Sequence, residues 1–229
     1  VSSASTQSIA DRLIEACESA SDGATQWLAR VRAEASGPFD ENRFLAAYSG
    51  AARRLRSGRC LLDDAFVGEL AERGIRGAGS WTPVRAVRTG LVLAALEAAE
   101  WEGAGAIARK VFRTGDNEER IALLGALVLA KDPAAFLELA IDACRTHVTE
   151  VFEAIACDNA YPARYFPEAN FNQMILKAVF IEVPLERVVG LGDRLNVELC
   201  RMAEYYAEER TAAGRTVPAD LRLLTTASG

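Results

Sequence analysis

The chain has 229 residues, half of them apolar and a quarter charged, enough to bury one hydrophobic core without disulfide staples. Its formal charge is -6, and its 26 basic residues are scattered rather than striped. A phosphate backbone is therefore repelled on average, with no basic cluster to release counterions, which argues against nucleic acid as a partner. The apolar stretches Gly90 to Leu96 and Ile121 to Ala130 fall short of the roughly 20 residues of a bilayer span.

Val1 to Thr6 show neither the basic nor the apolar region of a secretory leader, so the expected compartment is the cytoplasm. The five cysteines (Cys17, Cys60, Cys144, Cys157, Cys200) are odd in number and widely spaced. They read as small buried hydrophobes rather than a disulfide framework or a zinc knot. No metal and no cofactor is expected.

Runs of β-branched residues with period two are lacking, and helical period dominates. Ser8 to Glu18 puts Ile9, Leu13, Ile14 and Cys17 on one face. Ala24 to Ala35 follows with Trp27, Leu28 and Val31, and ends at Ser36-Gly37-Pro38. A third helix runs from Asp40 to Leu55. Asp63 or Asp64 caps Ala65 to Glu72, and Gly74 stops it.

The glycine-rich Gly74 to Ser80 reads as a loop, a possible hinge between an N-terminal cap (1–73) and a body (80–229) of a single domain. Thr82-Pro83 opens the next helix. Trp101 to Phe112 returns, Glu118-Glu119 start another, and Asp132-Pro133 leads a helix to Arg145. Short helices at this spacing predict an all-α fold of stacked antiparallel helix pairs, a HEAT-like α-solenoid or α-α superhelix.

The segment from His147 to Lys177 departs from this simplicity. Thr149 to Ala156 is helical, then Asp158 to Glu168 reads as an aromatic, proline-punctuated connector, and Pro167 opens a helix to Phe180 with Asn170, Gln173 and Lys177 as its polar stripe. Tyrosine and arginine offer flat surfaces with polar tips, and amides fix orientation. Asn159, Tyr161, Arg164, Tyr165, Asn172, Gln173 and Lys177 are thus candidate ligand-binding residues. The same residues also suit a purely structural role as caps and plugs.

For proton transfer the candidates are Glu153, Asp158 and His147, the only histidine. No H-E-x-x-H, G-x-S-x-G or phosphate-loop motif accompanies them. In the helix from Asn196 to Arg210, Leu199, Met202, Ala203 and Tyr206 form a stripe that suggests a homodimer face.

Ala156-Cys157-Asp158-Asn159-Ala160-Tyr161-Pro162, Tyr165-Phe166-Pro167-Glu168 and Phe171-Asn172-Gln173-Met174 with Leu176-Lys177-Ala178 resemble the EboA-domain family. Val188 to Leu191, Asn196 and Arg215-Thr216-Val217-Pro218 fit the same pattern. The resemblance covers residues from about 80 to the tail. It implies a protein encoded beside a UbiA-type membrane prenyltransferase and a TIM-barrel isomerase-like protein, in a cluster linked to making or exporting secondary-metabolite precursors. It assigns no catalytic residues. The expected function is a non-catalytic binding or adaptor protein working through the surface around residues 157–177. Its partner would be a small organic metabolite or another protein of the cluster, with peripheral association to the prenyltransferase. The alternative is an enzyme acting on a hydrophobic or aromatic precursor.

Overall fold

A computed structural model describes residues 7–18, 24–35, 37–55, 60–99 and 101–225. The fold is all-α. Its helices are α1 (Ile9–Glu15), α2 (Thr25–Ala35), α3 (Glu41–Arg54), α4 (Asp64–Arg73), α5 (Pro83–Ala98), α6 (Trp101–Thr114) and α7 (Asn117–Leu127). They continue with α8 (Leu137–Ala143), α9 (Thr149–Ala156), α10 (Tyr161–Tyr165), α11 (Glu168–Phe180), α12 (Val197–Ala212) and α13 (Arg222–Thr225). None is long and apolar enough to cross a membrane among the described residues.

The ends of these helices follow from short polar side chains. Ser8, Asp40, Asp63, Thr82 and Asn196 each accept a hydrogen bond from the backbone N–H three residues on, satisfying a donor that the helix itself cannot pair. Asp116 and Glu119 make a reciprocal capping box on α7. Ser36, in the expected break after α2, lies outside the described residues.

Helices α1, α5, α7 and α9 lie side by side in a row, with α3 and α6 packed against α5. The apolar core is one cluster running from Ala10 to Leu224. The middle helices are buried nearly all round, as their apolar runs require. Gly90 permits a close approach of α1 to α5, because a Cβ there would stand 2.8 Å from the Ala10 carbonyl oxygen of α1.

One buried charge pair ties the first helices to this row. Arg88 of α5 is 1% exposed. Its Nε donates to the Tyr48 carbonyl of α3 at 3.0 Å, and its Nη2 to Glu119 Oε1 of α7 at 3.3 Å. Tyr48 Oη closes the loop by donating to the Glu119 carbonyl at 2.5 Å.

The Gly74 to Ser80 loop is tied to the connector: Arg76 N–H donates to the Asp158 carbonyl, and Ala160 N–H to the Gly74 carbonyl, each at 2.8 Å. Gly74 ends α4 at φ 111°, and a Cβ there would meet Ala160 Cβ at 2.8 Å, so only glycine fits. The connector also contains a short helix, α10, started by Pro162 near its N-terminus and by Asn159 Oδ1 accepting from Tyr161 N–H at 2.9 Å.

Removing one partner of a buried ion pair strands the other charge. Glu119→Ala is expected to lower the unfolding free energy by about 3–5 kcal/mol in urea denaturation, against about 1 kcal/mol for the exposed cap variant Asp63→Ala.

Candidate functional site

The unusual segment is divided by the fold into side chains that hold it together and side chains that face open cavities. Asn159 is 2% exposed, and its amide donates to the Leu124 carbonyl at 3.3 Å and the Ala154 carbonyl at 3.1 Å. Tyr161 is fully buried, with its hydroxyl donating to the Pro133 carbonyl at 2.6 Å. Tyr165 packs on it, ring centroids 4.9 Å apart.

Arg164 donates to the Arg73 and Glu72 carbonyls at the end of α4. Asn172 exchanges paired amide hydrogen bonds with Asn196 at 3.1 and 3.0 Å, joining α11 to the start of α12. These five of the seven candidate ligand-binding residues have their polar groups or rings engaged within the fold.

Glu153 and Asp158 converge, but on Arg187: Glu153 Oε2 lies 2.6 Å from Nη1 and Asp158 Oδ2 lies 2.8 Å from Nη2. Asp158 holds a left-handed backbone, φ 54°, which lets α9 turn sharply into the connector while its side chain reaches Arg187. Together with Trp81 and Arg85 these groups line a polar cleft of about 250 Å³. The Arg85 guanidinium sits 4.9 Å over the Trp81 ring, and burial pulls its pKa below the usual guanidinium value.

Gln173 and Lys177 go elsewhere. With Asn170 they form the polar stripe of α11 and line a groove of about 460 Å³ between α11 and the turn from Cys144 to Thr149. His147 stands on the opposite rim, exposed. The floor and walls are apolar: Phe166, Met174 and Ile181 belong to the core or pack on it, and Phe180 is 70% exposed at the mouth.

Lys177 is partly committed. Its Nζ donates to the Cys144 carbonyl at 2.6 Å and the Thr146 carbonyl at 2.5 Å, and lies 4.8 Å over the Phe152 ring. Burial lowers its pKa. An ammonium has three donors, so one remains beyond the two carbonyls.

Glu153, Asp158 and Asn159 therefore edge the polar cleft, while His147, Gln173 and Lys177 edge the groove. Four arginines escaped the sequence reading. Arg85 and Arg187 shape the cleft, Arg120 stands beyond the groove, and Arg194 holds the Ala163 and Phe166 carbonyls at the end of α10. Arginines abound in this chain, and no spacing rule separates these four from the rest. No group of three or more potential metal-ligating His, Cys, Asp or Glu side chains gathers among the described residues. The expected dimer stripe is partly consumed: Leu199 and Ala203 are fully buried within the chain.

Fold and site together define an all-helical protein with an open groove, apolar at its base and polar along one helix. The family model described as metabolite traffic protein EboA matches residues 9–225, and the chain belongs to the EboA family. Comparison with curated proteins and with solved structures finds no match.

Two outcomes are expected from this geometry. Asn159→Ala should cost about 1–3 kcal/mol in urea unfolding by stranding buried polar groups, whereas Gln173→Ala should stay within about 0.5 kcal/mol of wild type. Burial raises the thiols of Cys157 to about 11 and Cys144 to about 12, from 9.0. Above pH 9 the unfolded chain ionises these thiols and the folded one does not. The stability difference present below that pH should then shrink as pH rises toward 11, measured as a falling urea midpoint.

Proposed function

We propose that this protein is a non-catalytic carrier of a small organic metabolite, held in the groove between α11 and the Cys144–Thr149 turn. The observation that carries the proposal is the composition of that groove: Met174, Phe166 and Phe180 supply apolar walls, and Asn170, Gln173 and Lys177 line up on one helix face beside them. A small-molecule site has this character, a mainly apolar cavity with a few directed polar groups. The family description as a metabolite traffic protein supports a carrying role.

The enzyme alternative draws less support. Glu153 and Asp158 are both ion-paired with Arg187, and His147 is exposed on the groove rim. A general acid or base works best with a pKa tuned toward neutrality by burial or a like charge. Both carboxylates are instead held in place by one guanidinium. An adaptor role within a biosynthetic cluster, in the cytoplasm and beside a membrane enzyme, is compatible with the same groove if the metabolite is handed on there.

Native mass spectrometry of protein purified from its producer strain tests the proposal, beside the groove-filling variant Gln173→Trp. Gln173 is exposed, so the larger ring should leave the fold intact. The wild type is expected to retain a small molecule and the variant to lose it. Equal retention by both would place the ligand elsewhere, and two empty proteins would remove the carrier role.

A further inference from the structure

The groove continues past Arg145. Ile141, Arg145, Thr146 and Asn170 line both it and a neighbouring cavity of about 830 Å³. The far side of this second cavity is different in kind. It carries Arg109 and Arg113 from α6 and Arg120 from α7.

Arg145 has a partner, Asp142, at 3.1 Å. No ion pair to a described carboxylate forms at the other three. Arg120 is half-buried with its guanidinium 5.8 Å over the Phe112 ring, and its Nε is buried without a hydrogen-bond partner. A buried donor left unpaired is destabilising, so no acceptor within the fold anchors this guanidinium. Three unpaired guanidiniums in a chain of net charge -6 are a local reversal of sign. Their planar forks match the oxygens of a phosphate or carboxylate.

We infer that the two cavities form one amphipathic groove, whose ligand is an apolar metabolite bearing an oxyanion head group. The body lies on Met174 and Phe180, and the head on Arg109, Arg113 and Arg120. The inference rests on the groove assigned above and adds the ligand's polarity and charge. Glu138 and Asp142 also line the second cavity, and their negative charge, like that of the head group, sets a preference for docking on the α6–α7 side.

Isothermal titration with decyl phosphate, decanol and inorganic phosphate tests it, on wild type and on Arg113→Gln and Arg120→Gln. Arg113 is exposed, so its variant keeps the fold, and circular dichroism checks Arg120→Gln. Decyl phosphate is expected to bind at least about tenfold tighter than decanol, the scale of one charge-assisted hydrogen bond. Either substitution should erase most of that advantage and leave decanol binding unchanged.

Equal binding of decanol and decyl phosphate would overturn the head-group assignment while leaving the groove in place. Failure of both would overturn the groove as well. Inorganic phosphate binding as tightly as decyl phosphate would show that the apolar body contributes nothing, and would overturn the single amphipathic groove. A last arm uses vesicles of phosphatidylcholine with and without phosphatidylglycerol. Arginine-dependent binding to the anionic vesicles, with no binding of decyl phosphate, would assign these arginines to a membrane surface and overturn the inference.

Discussion

The junction between α9 and the connector depends on one buried amide. Asn159 reaches back to the Ala154 carbonyl of its own helix, across to the Leu124 carbonyl of α7, and forward to the Tyr161 N–H. Asn159 is itself 2% exposed, and an unpaired buried polar group is costly. Asp158 takes up the left-handed backbone that the turn demands and is braced by Arg187. The Gly74 loop then docks on the same residues through main-chain hydrogen bonds. Thus a few side chains at one turn set how the end of α4, the middle row and the connector meet.

Arginine performs most of this organising work. Arg88 joins three helices inside the core, Arg164 and Arg194 terminate α4 and α10, and Arg187 gathers two carboxylates. A guanidinium is planar, multidentate and charged at any ordinary pH. It can therefore hold several carbonyls that a helix end leaves unpaired. Arg85 and Arg120 differ in kind, because the buried Nε of each has no hydrogen-bond partner.

Much of the fold was legible from local chemistry. The caps Asp63 and Thr82, and the stop at Gly74, act through neighbours a few residues away, which a sequence displays directly. The stripe of Asn170, Gln173 and Lys177 was likewise visible from helical period, and all three face one groove. What escaped was everything carried by partners distant along the chain. Asn172 is paired with Asn196, and Tyr161 with Pro133, so residues that look like binding groups are cross-braces. The short helix α10 was hidden because five residues carry too little periodicity to distinguish a turn from a loop. The arginines beyond the groove come from two helices that approach only in the folded chain.

The Asn172–Asn196 amide pair has a mechanical consequence for the groove on the other side of α11. Two reciprocal hydrogen bonds of fixed direction resist both sliding and rotation of that helix against α12. One jaw of the groove is therefore stiff. The opposing jaw, the turn at Cys144–Thr149, is fastened to α11 by the ammonium of Lys177 on two carbonyls. An ammonium is a point charge with rotatable donors and tolerates several geometries. On the carrier reading proposed above, cargo of varying girth would be accommodated at the turn, where rotatable donors make the fastening, while α11 keeps its register on α12.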